Sequence, residues 1–364
     1  MSISAIKVSE LDGRNRLDAE YYQPRYLEMA KRFEKFKILA DYQPLVLHPT
    51  EVKRVYEEEG LQLLFTQNIR NNYLDFSHTG FLPYGVEGQI SKNKLQEGDV
   101  VVTRTGANFG DAAPYDGTPS PIYASSHCIV IRCKDISGAY LSTYFNTDIG
   151  KVLVKRGVYG AAQPEITPDY IRTLHIPCFG EQFEKSIEKQ LKQSKQKRDQ
   201  SKQLYADAEN LLASELGLDK LDLSESLFAI KNLSDAQSAK RIDAEYYHPK
   251  YYRLLEYLRE TGQAAKLSDW VREPLKRGVQ PEYAEDGEVT VINSQHVGKT
   301  HIELEDNRFT TKEFCQIGGN KRALVKQYDV LLNSTGYITI GRSQTLLEKT
   351  DAMVDGHVAI IRPK

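Results

Sequence analysis

The sequence predicts an α+β protein made of two similar domains joined by a long helix of the coiled-coil type, with the second copy incomplete. Three observations lead to this fold class. One long uninterrupted stretch has helical spacing, the residues that precede it are repeated after it, and the remaining apolar runs are short and bounded by turn residues.

The long helix is predicted over residues 181–217. Neither Pro nor Gly occurs in it before Gly217, which suits the left-handed stop after a helix end. Such a helix would span roughly 50 Å. Apolar or small residues recur at steps of three and four once the polar Arg198 is counted in line. These residues are Ile187, Leu191, Ser194, Ser201, Tyr205, Ala208 and Leu212. This seam predicts that the helix packs lengthwise on another helix.

Four blocks of sequence occur twice and in the same order. Residues 16–26 (RLDAEYYQPRY) return as residues 241–251 (RIDAEYYHPKY). The other pairs are residues 64–69 (LFTQNI) with 292–297 (INSQHV), 98–106 (GDVVVTRTG) with 328–336 (YDVLLNSTG), and 127–132 (HCIVIR) with 357–362 (HVAIIR). The period is far longer than a solenoid repeat, so the pattern indicates a duplicated domain.

Each copy begins with a helix led by proline and continues mainly with strands. Pro24 suits the first turn of a helix that runs to about Phe36, and Pro249 begins its counterpart. Further along the first copy, the apolar pattern predicts a helix over residues 141–154. Short apolar runs bounded by Gly, Asn and Pro predict strands at residues 63–65, 99–103, 128–131 and 174–176.

The duplication divides the chain into four parts. Residues 1–180 are the first domain with its N-terminal helix, 181–217 the long helix, 218–240 a linker rich in Ser, Asp and Lys, and 241–364 the second domain. The second copy ends at Lys364, shortly after its match to Arg132, so either the chain has been shortened or the gene ends early. A copy that ends inside its sheet is expected to leave an open strand edge. Such a chain could form a homodimer through its one complete long helix.

The composition is that of a globular protein with room for two cores. The chain has 364 residues, of which 40% are hydrophobic and 27% charged. No stretch approaches the length of a membrane span, and the four cysteines show no metal-ligand spacing, so we expect no metal and a reduced, cytoplasmic location. The net charge of −2 argues against a chain held to nucleic acid by bulk electrostatics alone, although a basic groove could be local.

This combination of features resembles the specificity (S) subunit of Type I restriction–modification systems. Duplicated variable domains separated by long helices are typical of that family, and each domain has a strand that ends in the pattern G-D-[VI]-[VL]-x-x-x-x-T-G. The pattern stands here at residues 98–106, and Tyr328 replaces its first glycine in residues 328–336. Residues 160–167 (GAAQPEIT), followed by Ile176-Pro177 and by Glu181-Gln182, are similar to the end of a target-recognition domain. The family's hinge at this point is richer in proline.

The resemblance implies a non-catalytic DNA reader with two target-recognition domains. Each domain would read one half of a split site in double-stranded DNA, and the helical spacer would set the distance between the halves. In the family, methyltransferase (M) subunits dock on the long helices and methylate adenine N6 with S-adenosylmethionine, while a restriction (R) subunit adds an ATP- and Mg-dependent motor and nuclease. We therefore expect no cofactor on this chain itself, and no membrane partner.

Direct readout of DNA favours Arg or Lys toward guanine and Asn or Gln toward adenine, on loops at one edge of a domain. In the first copy these residue types occur in the loop after residue 103 and in residues 67–72, while two lysines are better suited to phosphate. The first-copy candidates are Arg104, Asn108, Asn68, Arg70, Asn72, Lys92 and Lys94. The matching stretches of the second copy supply His296, Lys299, Asn333, Ser334, Tyr337 and Arg342.

Residues that recur in both copies have a simpler explanation. Two domains that read different half-sites should differ where they contact bases, so the repeated Thr-Gly pairs are expected to form a structural turn. Likewise His127 and His357, which precede equivalent strands, suit hydrogen-bonded structural roles better than catalysis. Asp18 and Asp243, in the repeated lead-in to a helix, suit packing or capping.

Two other functions stay open. The chain could be the DNA-reading subunit of another methylase-linked restriction or phage-defence system, which would use the same domain with different partners. It could also be a hydrolase built from the repeated acids and histidines, but no convergent catalytic set is visible in the sequence. The sequence therefore favours the specificity subunit.

Overall fold

A computed structural model describes residues 5–11, 16–106, 108–159, 164–224, 226, 228–262, 264–304 and 308–364. The chain forms two compact units, unit 1 (Met1–Asp199) and unit 2 (Gln200–Lys364). Both units contain helices and sheets, and a long helix lies between the two sheet-rich regions of the chain. The predicted α+β class is therefore confirmed.

Unit 1 contains two main sheets and a small hairpin. Its strands are β1 (Leu45–Leu47), β2 (Leu61–Leu64), β3 (Ile69–Arg70), β4 (Tyr73–Leu74), β5 (Gly80–Leu82), β6 (Val100–Thr103), β7 (Ala112–Pro114), β8 (Ile122–Ala124) and β9 (Cys128–Arg132). One sheet has the order β1-β9-β6-β7 with antiparallel neighbours. The other has the order β5-β2-β8, in which β2 and β8 run parallel. Strands β3 and β4 form the hairpin.

Helices cover one face of the larger sheet in unit 1. In chain order, the helices of unit 1 are α1 (Pro24–Phe33), α2 (Glu87–Ile90), α3 (Gly138–Asn146), α4 (Asp148–Arg156), α5 (Pro168–Arg172) and the first part of α6 (Glu181–Glu215). Of these, α2 packs through Ile90 against the smaller sheet, and the others contribute to the core over the larger sheet. Because side chains alternate along a strand, Val100 and Val102 share one face of β6 and Val101 lies on the other. The first two pack in a core with residues of α3, α4 and α5, and Val101 packs in a second core with β8 and β9.

Unit 2 repeats the strand order of unit 1. Its strands are β10 (Lys276–Arg277), β11 (Val289–Ile292), β12 (Arg308–Thr310), β13 (Val330–Asn333), β14 (Ser343–Thr345), β15 (Ala352–Val354) and β16 (Val358–Ile361). Its helices are the second part of α6, α7 (Leu233–Ala239), α8 (Pro249–Glu260) and α9 (Lys312–Gln316). The sheet orders are β10-β16-β13-β14 and β12-β11-β15, so the duplication seen in sequence is also a duplication of topology.

The repeated lead-in has the same local structure in both units. The Arg16 Nε donates to Asp18 Oδ1 at 2.8 Å, and the Arg241 Nε donates to Asp243 Oδ1 at 2.8 Å. A tyrosine hydroxyl then donates back to the arginine carbonyl, from Tyr22 at 3.0 Å and from the equivalent tyrosine of unit 2 at 2.8 Å. These bonds fix the turn before α1 and α8, which confirms the packing role predicted for the two acids.

Three predicted elements differ from those observed. Helix α1 ends at Phe33 rather than near Phe36. Residues 141–154 belong to two helices, because Thr147 leaves the helical conformation and its Oγ1 accepts the Gly150 amide at 3.1 Å to cap α4. The strand predicted at residues 174–176 is a single bridge between Ile38 and His175. Its apolar residues are buried as irregular backbone, which short apolar runs do not distinguish from a strand.

The long helix begins at Glu181, as predicted, and ends at Glu215, just before Gly217 in the left-handed conformation. For the first half of α6, the predicted lengthwise packing on another helix is corrected by the structure. There Ile187 packs against the core of unit 1, and the Arg198 guanidinium lies 3.7 Å from the centroid of the Tyr73 ring. In the second half, Tyr205 and Leu212 are exposed in the described chain.

Candidate nucleic-acid interface

In unit 1, several loops leave the sheets on the same side. Thr103, the last residue of β6, pairs with Cys128, the first residue of β9. Strands β2 and β8 run parallel and end side by side, and the Ser125 amide donates to the Leu64 carbonyl at 2.9 Å. The loops that follow β2, β6 and β8 therefore converge. We call residues 65–72, 104–106, 108–111 and 125–127 the loop edge of unit 1.

Unit 2 has an equivalent loop edge. Asn333 ends β13 opposite Val358, the first residue of β16. The Asp355 amide donates to the Ile292 carbonyl at 3.0 Å, which joins the ends of β15 and β11. Residues 293–301, 334–342 and 355–357 form the loop edge of unit 2. Both units therefore bring together the stretches from which the candidate DNA-reading residues were chosen.

The residues that recur in both loop edges hold the loops in place. Thr105 Oγ1 and His127 Nδ1 are hydrogen-bonded at 3.1 Å, and their counterparts Thr335 Oγ1 and His357 Nδ1 at 2.6 Å. The glycines that follow the threonines have φ of 103° and 107°, a backbone conformation that favours glycine. The structural roles predicted for the Thr-Gly turn and for the two histidines are confirmed.

A second repeated pair supports β6 and β13. Arg132 donates to both carboxylate oxygens of Asp99 at 2.7 Å, and the Asp99 side chain is fully buried. In unit 2, Arg362 contacts Asp329 at 3.2 Å and also pairs with Glu273. Each aspartate accepts a backbone amide three residues before it, so these carboxylates anchor the turn that enters the strand.

One pair of structurally equivalent side chains was not found by matching the sequences of the two copies. His48 Nε2 donates to the Ser126 carbonyl at 2.9 Å, and Arg277 donates to the Gly356 carbonyl at 2.6 Å. Ser126 and Gly356 occupy the same position before the repeated histidines. The histidine and the arginine make the same hydrogen bond from equivalent positions in the fold. Because the two residue types differ, the sequence repeat does not reveal this equivalence. Only the sheet register could have matched them.

Three candidates of unit 1 are engaged within the protein. The Asn68 side chain is buried, accepts the Phe65 amide at 2.8 Å and donates to the Asp75 carbonyl at 2.8 Å. Asn72 accepts a hydrogen bond from the Asn146 side chain at 2.8 Å. The Arg104 Nε donates to the Ser126 carbonyl at 3.1 Å, and its guanidinium forms an ion pair with Glu165. These contacts tie the loops to the body of the domain.

The other four candidates of unit 1 are exposed. Arg70 and Asn108 lie on the loop edge, and the Asn72 amide donates to the Ala112 carbonyl at 3.0 Å, which places the turn after Arg70 beside the β6–β7 loop. Lys92 and Lys94 lie outside the loop edge, on either side of the buried Asn93. The Asn93 side chain bonds the backbone of Thr50.

The candidates of unit 2 divide in the same way. His296 is buried and its Nδ1 accepts the Asn293 amide at 3.1 Å, so it fills the position that Asn68 fills in unit 1. Asn333 is buried and donates to the Ser294 carbonyl at 2.8 Å, and Ser334 Oγ donates to the His357 carbonyl at 2.9 Å. The exposed candidates are Lys299, Tyr337 and the half-exposed Arg342.

Two titratable groups, His127 on the loop edge of unit 1 and Cys128 next to it, are shifted toward their neutral forms. Burial, and then the charge of Arg54, lower the pKa of His127 below its ordinary value. Burial raises the pKa of the Cys128 thiol to about 11. A neutral imidazole and a protonated thiol suit a hydrogen-bonded scaffold. Among the described residues, no three His, Cys, Asp or Glu side chains are grouped so that they could hold a metal ion.

The chain resembles known proteins in structure but not in sequence. No protein-family model matches it, and no curated protein sequence matches it. The Type I restriction–modification S subunit from M. genitalium matches 91% of this chain and 73% of its own at 9% identity, with a TM-score of 0.38. The HsdS subunit from Thermoanaerobacter tengcongensis matches 88% of this chain and 75% of its own at 12% identity, with a TM-score of 0.26. A structure concerned with complex assembly and conformational transition of the type I R-M system has the same coverage and identity, with a TM-score of 0.27.

Two further observations bear on the sequence predictions. In the part of the chain that the structure describes, no helix combines the length and the apolar character needed to cross a membrane. Of the stretch that resembles the end of a target-recognition domain, residues 160–163 lie outside the described residues, as does Ala107 in the loop after β6.

Proposed function

We propose that this chain is the DNA-specificity subunit of a Type I restriction–modification complex. Each unit would read one half of a bipartite site in double-stranded DNA, and the chain would direct methyltransferase and nuclease subunits to that site. The single observation that carries the proposal is a duplicated scaffold that keeps its internal pairs and changes other residues of its loop edge.

The kept and changed residues lie side by side in the same loops. The Thr–His and Asp–Arg pairs occur in both units. In contrast, Arg104 corresponds to Ser334, and Asp111 corresponds to Arg342. The register supports the second equivalence, because the Thr103 amide donates to the Asp111 carbonyl at 2.9 Å and the matching bond to Arg342 is also 2.9 Å. A common frame with different side chains beside it is what two readers of unlike half-sites require.

The exposed side chains of unit 1 have the chemistry of base readout. An arginine can donate two hydrogen bonds to guanine, and an asparagine can donate to and accept from adenine. Arg70 and Asn108 provide these groups on neighbouring loops of the loop edge. Lys92 and Lys94, which lie outside that edge, suit phosphate contacts that orient the domain without reading sequence.

The remaining parts of the complex would come from other chains. A net charge of −2 gives this chain little non-specific attraction for DNA, so partner subunits would contribute much of the positive surface. The M subunits would bind S-adenosylmethionine, and the R subunits would bind ATP and Mg. The exposed second half of α6 offers a docking surface for an M subunit.

The test is to co-express the 364-residue chain with the methyltransferase encoded beside it and to map N6-methyladenine in the host DNA. We expect methylation at a split motif. Asn108→Ala and Arg70→Ala should relax one half of the motif and leave the other unchanged, because both residues belong to unit 1. Lys31→Ala, an exposed change on α1, is the matched control and should leave the motif intact.

Two results would overturn the proposal. One is capture of the methyltransferase with methylation that has no sequence preference. The other is failure to capture a methyltransferase together with failure to bind duplex DNA. Capture of a different defence protein, with binding to DNA retained, would favour the reading subunit of another restriction or phage-defence system.

A further inference from the structure

The loop after β13 differs from the loop after β6 by one inserted residue at its tip. In unit 1 the Gly110 amide donates to the Thr103 carbonyl at 2.8 Å, and in unit 2 the Gly341 amide donates to the Asn333 carbonyl at 2.9 Å. These bonds align the two ends of both loops. In the sequence, Tyr337 and Ile338 therefore correspond to the single residue Ala107 of unit 1, which is outside the described residues.

Both tip residues are large, apolar over most of their surface and exposed. The exposed fraction is 101% for Tyr337 and 78% for Ile338. Ile340 is also exposed, but it occupies the position of Phe109, which packs against the core of unit 1. Its exposure reflects the smaller core of unit 2, whereas Tyr337 and Ile338 project from the tip itself. We call these two residues the apolar tip.

Hydrogen bonds fix the backbone that carries the apolar tip. The Ile340 amide donates to the Gly336 carbonyl at 2.9 Å, and the Arg342 amide donates to the Thr339 carbonyl at 3.1 Å. Below them, Thr335 is bonded to His357 at 2.6 Å. The loop therefore holds two apolar side chains outward at a defined place on the loop edge. Exposure of this apolar surface to water is unfavourable, so the apolar tip is suited to contact a partner.

Cations accompany the apolar tip. Arg342 follows it on the same loop, in the position where unit 1 has Asp111 paired with Lys151 at 3.4 Å. Lys299 is exposed on the neighbouring loop, and its carbonyl accepts the Gln344 side chain at 2.8 Å, which ties that loop to β14. Arg277 reaches the third loop through the Gly356 carbonyl. Positive groups on two of the three loops, with Arg277 of β10 against the third, complement a polyanion and favour DNA over an apolar protein surface as the occupant.

We infer that Tyr337 and Ile338 read thymine in the half-site of unit 2, through apolar contact with the 5-methyl groups in the major groove. This inference rests on the proposed function. The thymine methyl is the one apolar group on the base edges of the major groove, and it distinguishes an A·T pair from the others. Unit 1 has the polar Asn108 on its corresponding loop, so the two units read by different chemistry.

The experiment uses the complex of the full chain with its methyltransferase and the motif found by methylation mapping. Duplexes are made in which deoxyuridine replaces thymidine in one half-site at a time, which removes the methyl group and keeps the base pairing. We expect affinity to fall roughly 4-fold for each methyl contacted in the half-site of unit 2, in line with the burial of one methyl group. Deoxyuridine in the other half-site should have no such effect.

The double variant Tyr337→Ser with Ile338→Ala should bind the thymidine and deoxyuridine duplexes equally. The matched control is Leu347→Ala, an exposed apolar residue after β14 and outside the loop edge, which should keep the preference for thymidine. Equal binding of both duplexes by the unmodified complex, or a unit 2 half-site of G·C pairs alone, overturns the inference while leaving the proposed function standing. Loss of methyltransferase capture in the double variant would instead assign the tip to a protein partner and overturn it. Absence of any methylated motif would count against the proposed function itself.

Discussion

Tyr328 adopts a left-handed backbone conformation, with a φ of 71°, at the position where unit 1 has Gly98 with a φ of 88°. The repeated strand is entered through the same turn in both units, so the turn imposes this conformation whatever residue occupies it. Residues other than glycine pay for the left-handed region by a steric clash of Cβ with the backbone. The backbone of Tyr328 is therefore strained, because this residue occupies a turn in which unit 1 has glycine.

Tyr328→Gly should raise the free energy of unfolding of unit 2 by about 1 kcal/mol, because glycine adopts this conformation without the clash. Tyr328→Ala is the reference that removes the ring and keeps Cβ. The reciprocal change Gly98→Ala should destabilise unit 1 by a similar amount, since no heavy atom lies within 4 Å of the added Cβ and only backbone strain is introduced. Urea denaturation measures both. Equal stability of the Gly and Ala variants at residue 328 would contradict the assignment of strain.

His127 provides a test by pH. Its pKa is lowered below the ordinary 6.5, first by burial and then by the charge of Arg54, so the folded chain binds this proton less readily than the unfolded chain. The resulting stabilisation is complete above pH 6.5 and is lost as the pH falls below that value. We expect the urea midpoint of unit 1 to fall between pH 7.5 and 5.5, and to fall less in His127→Gln. Arg54→Gln should also reduce the pH dependence of the urea midpoint, because it removes a charge that lowers the pKa of His127. An unchanged pH dependence in His127→Gln would contradict the assignment of this dependence to His127.

At the scale of elements, α6 has two different halves. Its first half packs on unit 1 through Ile187 and Arg198, and its second half exposes Tyr205 and Leu212, which are one heptad apart on one face. A helix whose apolar residues recur on a face without cover is suited to receive another helix. The first part of the seam read from the sequence is thus an interface with unit 1, whereas its second part stays exposed.

Tyr205→Ser combined with Leu212→Ser should reduce capture of the methyltransferase subunit and leave the fold intact. Because both residues are exposed, the free energy of unfolding should change by no more than about 0.5 kcal/mol. The matched control is Gln203→Ser with Asn210→Ser, which lie on the opposite face at 100° per residue. Co-purification quantifies capture, and circular dichroism checks the helix. Equal capture by both double variants would mean that the exposed seam does not receive the partner.

Elements that are bounded by distinctive residue types can be located from the sequence. The beginning of α6 and the strands β6 and β9 were predicted to within a residue or so, because glycine, proline and abrupt changes of polarity bound them. Residues 174–176 were not, since a short apolar run looks the same as a strand or as buried irregular backbone. At the loop edge, comparison of the copies separated scaffold from variable residues. It could not foresee that Arg104 pairs with Glu165, which is 61 residues away.

At the scale of the whole molecule, the two units have sheets of the same strand order, but helices α3, α4 and α5, which cover one face of the sheet in unit 1, have no described counterpart in unit 2. Val100 and Val102 of unit 1 lie beneath α3, α4 and α5 with exposed fractions of 1% and 0%. Their equivalents in unit 2, Val330 and Leu332, are only half-buried. Less apolar burial on one sheet face means weaker stabilisation of the strands that form it.

We therefore expect amide hydrogens of β13 and β16 to exchange faster than those of β6 and β9, measured by hydrogen exchange with mass spectrometry on the whole chain. Val100→Ala and Val330→Ala form a matched pair, which should destabilise their units by about 2 kcal/mol and by less than about 1 kcal/mol respectively, because only the first residue is fully packed. Equal protection of the equivalent strands would contradict this account. If that protection rises with protein concentration, a second copy covers the face, and the homodimer expected from the sequence forms through the sheet of unit 2 rather than through α6.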